Sequence, residues 1–463
     1  MAGVLVAVCV VAAGGVLVWR TMLAPSARVD ATIGTPKDLL ISFPLDRQPV
    51  AGWRLSGANI GLPPGVEVGR LFMSTGDKAY FVAGRTDEHG ESPVSWVYGV
   101  DTNTGKLLFT PIEMVGFRSG IPLGDCYGNG PGIAVCITVG DEDPARNLPP
   151  LVWVLDLDHG AVTFTGPTDL DVQGGAQEGF YPVHAIGNYR GETRLVALRD
   201  GEGVWGVGPK AERTWFVPGG GNIFDPGYLV PSDIPAPTIA MQNPTPDNMN
   251  APYRVFSVVD GTDLTPTPPK GAEIRKSLVY NGGFAYSYRE PGKHDGLLFY
   301  NTAGELVARY TDDNYDMTSI EEAVMPMARL RADPAQWLIF SAAGELVQAI
   351  PAPEAGVSFR VIGTDFFLNQ AGTDDRWQKW DLLTGESGPI CQMNLTFEYI
   401  GSDGSTVLVG GGLNSHTWVR AVDPATCSTR WDITSDVKHT IVKAGTGLIQ
   451  TTPTEITQLV APS

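Results

Sequence analysis

From about residue 38 onward the chain alternates short apolar or aromatic runs with turns that carry Asp or Asn ahead of a Gly, and each turn leads into a second short run. The clearest copies are residues 96–109 (WVYGVDTNTGKLLF) and 152–164 (VWVLDLDHGAVTF). Others run over 297–307, 337–347, 380–385 and 422–431, and weaker ones centre on Gly208 and Gly261. Runs of this kind, rich in Val, Leu, Tyr, Phe and Trp and bounded by Gly, Asn and Asp, predict strands joined by tight turns. Amphipathic runs long enough for helices are few, and residues 318–330 are the best of them.

The later turns recur at even intervals: 40 residues from Gly304 to Gly344, 41 from there to Gly385 and 42 to Cys427. The earlier ones are looser, at 55 from Gly105 to Gly160, then 48 to Gly208, 53 to Gly261 and 43 to Gly304. A period of roughly 40–50 residues with strand content is the length of one four-stranded propeller blade. A single blade cannot bury both its faces, so blades stack, and closing the ring removes most exposed strand edges. Residues 439–445, 447–452 and 455–460 read as three strands lacking a fourth, while 39–43 and 50–55 precede the first full repeat. An N-terminal strand is therefore expected to complete the last blade. Eight hairpins and this closing unit would make nine. Residues 311–335 hold only one evident strand, however, so the unit around Gly344 reads as incomplete or fused to its neighbour. The expected fold is all-β: a single β-propeller of eight four-stranded blades, with seven or nine as the alternatives, occupying residues 38–463.

Ahead of it, residues 2–19 are uncharged and nearly all apolar, and Trp19 and Arg20 end the run. As a helix these 18 residues would reach ~27 Å, enough for a thin bilayer, with Trp19 and Arg20 as interfacial anchor. Residues 1–23 are read as one N-terminal transmembrane helix and 24–37 as a linker. The alternative is a cleaved secretory signal, with Ala24 and Ser26 as small-residue cleavage positions. No Lys or Arg precedes the run, while Arg20 and Arg28 follow it, a charge order that would keep the body in the cytoplasm. The cysteines point the other way.

Four cysteines lie outside the apolar run: Cys126, Cys136, Cys391 and Cys427. An even number suits disulfides in an oxidising compartment. Cys126 and Cys136 flank a turn-rich stretch as two strands of one hairpin would, and Cys391 and Cys427 lie near the ends of hairpins in neighbouring repeats. Four free buried thiols are the alternative. The absence of CxxC leaves zinc and thioredoxin-type chemistry without support. On this reading the protein sits at the cell membrane, single-pass, with the propeller on the extracytoplasmic side.

Composition narrows the partners. The 463 residues carry 51 acidic and 32 basic side chains, a formal net charge of −19. Such a chain repels phosphate, so nucleic acid is excluded as a partner, as is docking on an anionic leaflet through a basic surface. The Pro-rich stretch 226–269 suits long rim loops. They would form either a partner-binding surface or merely elongated connections between blades. The triple glycine at 410–412 sits inside a strand pattern and permits close backbone approach, expected near the channel.

Residues 99–109, with Asp101, Thr104, Gly105 and Phe109, resemble the repeat of PQQ-like, quinoprotein-type propellers, which reads Ala-x-Asp-x-x-Thr-Gly-x-x-x-Trp. Residues 421–431 match it with Cys427 in the place of Gly and Trp431 at the end, and Asp381, Thr384 and Gly385 keep the turn without the Trp. The resemblance implies the fold, with the terminal aromatic packed between blades. Many relatives bind no quinone and act as scaffolds, including the propeller lipoprotein of outer-membrane barrel assembly. A quinone dehydrogenase would want a calcium-bound cofactor and commonly an adjacent Cys pair, and no two cysteines here are adjacent.

No Gly-x-Ser-x-Gly or His-Glu-x-x-His occurs. His89, His159 and His294 fall in turns, and His184, His416 and His439 could face a channel or a blade. Asp312, Asn314 and Asp316 alternate like the start of a calcium loop, but Met317 stands where glycine allows the sharp turn and no Glu follows at the twelfth position. A solvated acidic loop is the plainer reading of these three, as it is of residues 140–143. The expectation is a membrane-tethered scaffold that binds a protein or an envelope component without catalysis and without a cofactor, calcium being the sole metal candidate. The alternative is an envelope enzyme, a hydrolase, a lyase or a quinone-dependent oxidoreductase, working at the channel mouth.

Overall fold

The computed structural model describes residues 33–463 except 86–93, 118–123, 139–148, 173–178, 189, 225–233, 246–252, 291–294, 312–314, 318–324, 331–333, 353–357, 371–372, 374, 414–415 and 437–438. The apolar run and most of the linker therefore lie outside the described residues, as do His89, His294, residues 140–143, Asp312 and Asn314. Among the described residues no helix is long and apolar enough to cross a membrane.

The strands assemble into nine sheets, each one blade. In chain order they span residues 70–115, 124–167, 170–218, 223–257, 273–311, 315–351, 359–392, 399–435 and 440–460, called blades 1 to 9. Val50–Ser56 pairs antiparallel with Glu455–Val460 and supplies the fourth, outermost strand of blade 9. The first strands of blades 8, 9, 1 and 2 approach one another in succession, as the innermost strands of neighbouring blades do. The expected count of eight is thus corrected to nine. The unit around Gly344 is a complete blade whose first two strands, Tyr315–Met317 and Met327–Leu330, are only three and four residues long. Of the helix expected over 318–330, residues 318–324 lie outside the described residues, and Met327–Leu330 is a strand instead. Its Met327 and Ala328 are buried between blades, where packing outweighs the helical spacing of the stretch. Among the described residues blade 3 has a fifth, short strand, Leu170–Asp171, paired parallel to Tyr181–Gly187, the first of its usual four, and blade 4 has three strands. In blade 4 residues 263–265 cover the outer edge without forming a strand: Leu264 N–H donates to the Val255 carbonyl at 2.8 Å, and Pro266 follows.

The repeated Asp is a turn former. The Asp101 Oδ1 accepts from the Asn103 and Thr104 amides at 3.0 and 2.8 Å and from the Thr104 hydroxyl at 2.8 Å. Asp381 repeats this with the Leu383 and Thr384 amides, both at 2.8 Å. The residue that closes each of these turns is left-handed: Gly105, Gly160, Ala211, Gly261, Gly304, Gly344, Gly385 and Cys427. The turn expected at Gly208 therefore turns at Ala211. The missing side chain matters for packing as well as for φ. A Cβ on Gly105 would meet the Trp53 ring at 2.7 Å, one on Gly160 the Phe109 Cγ at 2.4 Å and one on Gly261 the Trp215 ring at 2.7 Å. Each aromatic belongs to the preceding blade. Trp53 and Trp215 also donate their indole N–H to the turn they support, to the Thr102 and Val259 carbonyls. The aromatic thus packs between blades. The glycines at 410–412 lie in the second strand of blade 8, where a Cβ on Gly410 would meet Ile400 and the Trp418 carbonyl. The close approach is within the blade, where Ile400 and Trp418 crowd the strand.

Hydrogen bonds from turn amides hold the Asp101 and Asp381 carboxyls below the ordinary aspartate range. Their folded pKa values lie under the unfolded ones, so the stabilisation is present above about pH 4 and is lost as the pH falls through the folded values. Asn at both positions keeps the acceptor and removes the charge. The double variant is expected to lose less stability than the parent between pH 5 and pH 3 (about one unit either side of the reference aspartate value), checked by urea midpoints across that range. Parallel curves would refute the role of the charge.

Candidate functional site at the plugged channel mouth

Turns of blades 1, 3 and 9 meet through Ser74, and turns of blades 7, 8 and 9 carry backbone contacts to a segment ahead of the first blade. Two segments that belong to no blade lie across them. The first is Ile33 to Leu45. Thr35 donates its amide to the Gly363 carbonyl at 2.8 Å and its hydroxyl to Val361, Ile41 N–H reaches Ser402 O at 2.8 Å, and Ser42 N–H reaches Thr446 O at 2.9 Å. This strap therefore runs over blades 7, 8 and 9 in turn. Gly34 is left-handed, and a Cβ there would fall 1.9 Å from the Gly363 carbonyl oxygen. Leu45, fully buried, ends the strap with its amide on Asp403 Oδ2 at 2.7 Å. The second segment, Ile234 to Pro237, is the described part of the connection between the first two strands of blade 4. Its Ile234 is buried with Met325, Phe359 and Val361 at the blade 6–7 interface, and Pro237 abuts Gly187 of blade 3. It thus crosses from one side of the ring to the other.

Between the two segments lies a cavity of about 510 Å³, walled by turns of blades 1, 3 and 9. Ser74, nearly buried, ties these turns together: its hydroxyl donates to the Arg190 carbonyl at 2.9 Å and accepts from Gly445 N–H at 3.2 Å. The Thr75 hydroxyl donates to the Glu192 carboxylate. Lys443 donates to the Leu39 carbonyl of the strap. Arg190 is left-handed at φ 65°. The wall presents Arg190 and Lys443 together with Asp38, Asp77 and Glu192, while Leu39 and residues 234–236 supply the apolar side. Residues 234–236 fall in the Pro-rich stretch 226–269 and Leu39 in the segment ahead of the repeats, whereas the charged residues of the wall carry no repeat signature. The turns they occupy vary in length and composition from blade to blade. Near the strap's first contact, Lys379 Nζ lies 2.9 Å from the Asp365 carboxylate, whose pKa burial nonetheless pushes up.

The residues named from sequence fall elsewhere. Cys126 and Cys136 form a disulfide between the first two strands of blade 2, and Cys391 and Cys427 join blade 7 to blade 8. Asp316 lies in the first strand of blade 6, in register with Arg329. The other two members of the expected calcium loop, Asp312 and Asn314, lie outside the described residues. Among the described residues no group of three or more His, Cys, Asp or Glu side chains is disposed to hold a metal ion. His159 caps its own turn, Nδ1 2.8 Å from Asp156 Oδ2, and that hydrogen bond raises its pKa. His439 is buried with Nδ1 2.8 Å from Thr417 Oγ1, and His184 and His416 sit in strands of blades 3 and 8.

A family model described as a conjugation-associated 9-bladed beta-propeller domain matches residues 26–462. An uncharacterized protein of Mycolicibacterium smegmatis (strain MKD8) is 29% identical over 419 residues, covering 86% of this chain and 81% of that protein. Among solved structures, a Dos1 propeller is 11% identical over 80% of this chain and 96% of that one, with a TM-score of 0.33. A europium-containing methanol dehydrogenase is 12% identical over 87% and 84%, with a TM-score of 0.34. At these scores neither structure carries a functional argument.

Proposed function

The chain belongs to the conjugation-associated nine-bladed β-propeller family, and from that premise we propose that it is a non-catalytic binding scaffold of a conjugation apparatus. It is held at the cell membrane by residues 1–23, with the propeller on the extracytoplasmic side. The carrying observation is the ring itself: nine blades closed by Val50–Ser56, with the chain's own strap and blade 4 segment lying across one mouth of the channel. β-Propellers commonly mediate protein interactions, and a ring plugged this way offers its rim and faces for contact. Two disulfides support an oxidising compartment, and the apolar run 2–19 supports the tether. The local likeness to quinoprotein-type repeats is confined to the Asp-turn and the interblade aromatic, both of which serve packing here.

Deleting the gene from a conjugative donor tests this. DNA transfer is expected to fall at least about tenfold, to recover with the full chain, and to stay low with a chain lacking residues 1–23. Protease added to intact spheroplasts is expected to reach the propeller. Unchanged transfer would refute the conjugative role. A body protected until lysis would refute the topology, and quinone-dependent turnover by the purified chain would replace the scaffold with an oxidoreductase.

A further inference from the structure

We propose that Lys379 and Asp365 are the site of an intramolecular isopeptide bond, an amide between Lys379 Nζ and Asp365 Cγ that the folded chain forms by itself with loss of one water. Lys379 Nζ donates to Asp365 Oδ2 at 2.9 Å. The carboxyl carbon is one bond further, so the nitrogen lies roughly 3–4 Å from the atom it attacks, close to a near-attack separation. The strand register brings the reactants together. Asp365 stands opposite Asp381, and Phe367 opposite Lys379, in Asp365–Asn369 and Arg376–Asp381, the second and third strands of blade 7. Side chains two residues apart share a face, so Asp365, Phe367, Trp377, Lys379 and Asp381 lie on one side of the blade. Phe367 and Trp377 are buried there against blade 8. Gly388 of the fourth strand leaves room for the lysine stem, since a Cβ on it would fall 2.7 Å from Lys379 Cγ.

The second observation is the environment of the pair. The side chains of Lys379 and Asp365 are 20% and 12% exposed, whereas Lys78 and Asp158, 3.0 Å apart, are 40% and 55% exposed and stay an ordinary surface ion pair. Desolvation of both charges favours passage of the proton from ammonium to carboxylate, which leaves an amine beside a carboxylic acid, the two reactants of amide formation. Burial pushes the Asp365 pKa up despite Lys379, and the Asp381 charge adds to the rise. Asp381 itself is held low, chiefly by the Thr384 amide. One carboxyl is thus biased towards the acid and its neighbour towards the carboxylate. The Lys379 lone pair adds to Asp365 Cγ. Asp381 takes a proton from the nitrogen and returns it to the departing hydroxyl, the C–O bond breaks, and water leaves with no oxidant or reductant consumed. The product joins the second strand to the third just where the strap is received: Thr35 N–H binds the Gly363 carbonyl, and Leu382 N–H binds Thr364 O at 2.9 Å. The strap's first anchor is thereby secured covalently.

The full chain, purified in detergent and reduced, is measured by intact mass spectrometry, and its proteolytic peptides are sequenced by tandem mass spectrometry. The parent is expected to be lighter by one water than its sequence, with the peptides carrying residues 365 and 379 joined into one branched peptide. Lys379→Arg keeps the ion pair and removes the nucleophile, so this variant is expected at full mass with two separate peptides, as is Asp365→Ala. Asp381→Asn keeps the turn acceptor and removes the proton acceptor. Bond formation in it is expected to slow by about 10²-fold or more, leaving mostly unlinked chain. A parent of full mass would overturn the proposal. So would a water loss that persists in K379R, which marks a dehydrated aspartate without a cross-link. A D381N chain linked as fully as the parent would overturn the part given to Asp381.

Discussion

Trp431→Ala is expected to destabilise the propeller by about 3–5 kcal/mol, the range for truncating a large buried aromatic. Trp431 stands at the end of the repeat in blade 8, where the next blade's turn is replaced by the strap. Its indole N–H donates to the Leu45 carbonyl at 2.8 Å, and its ring is buried with Ile41, Leu45, Val419, Ile441 and Leu459. One side chain thus joins blade 8, blade 9 and the strap, at the point where the ring closes. A loss of this size is a large share of the roughly 5–15 kcal/mol by which a folded domain is stable. Trp431→Phe keeps most of the apolar burial and loses the hydrogen bond, so about 1 kcal/mol is expected, rising if the bulk is poorly replaced. Equilibrium urea unfolding of the three chains measures both. A loss under 1 kcal/mol for the alanine variant would mean that closure is carried by the strand pairing alone.

The period of the chain was legible because one physical constraint writes it. The third-to-fourth strand turn must bend left-handed and must leave room for a side chain of the preceding blade, an aromatic in several cases, so Gly recurs there and an Asp or Asn often recurs ahead of it. Gly105 above Trp53 and Gly261 above Trp215 are two instances. Where another residue meets the same constraint, the signal is lost. Ala211 takes the left-handed position without being a glycine, and so Gly208, which is not left-handed, looked like the turn. Blade 6 was undercounted for a related reason: strands of three and four residues are too short for alternation to register. The cavity was invisible because its wall comes from first-to-second strand turns of blades far apart in the chain, and those turns answer to the local geometry of the axis rather than to a repeat. The strap was half legible. Residues 39–43 lie outside the repeats, but only coordinates reveal that they belong to a strap crossing three blades, with Thr35 on blade 7, Ile41 on blade 8 and Ser42 on blade 9, while Val50–Ser56 does the pairing.

The second large effect is expected at Cys427, where the repeat's own logic permits a clean experiment. In the other turns a Cβ at the left-handed position would strike the preceding blade: Ala308 from Gly344, Gln348 from Gly385. Cys427 has that Cβ, at φ 59°, and its sulfur is bonded to Cys391 of the preceding blade, where a Gly would only touch it. The disulfide closes a loop with a sequence separation of 36, and removing it is expected to cost about 2–4 kcal/mol through the entropy regained by the unfolded chain. Cys391→Ala with Cys427→Ala loses the bond and leaves a side chain in the left-handed turn. Cys391→Ala with Cys427→Gly loses the bond but restores the residue that the turn favours, and is expected to be more stable than the first by about 1 kcal/mol. Cys126→Ala with Cys136→Ala, which opens a bridge between adjacent strands of one blade, is expected to cost less than either, because the shorter loop constrains the unfolded chain less. Thermal and urea unfolding under oxidising and reducing conditions separate the three. If the glycine variant proves no more stable than the alanine one, the left-handed turn is not what Cys427 strains against, and the interblade bond stabilises for a reason other than the packing of the repeat.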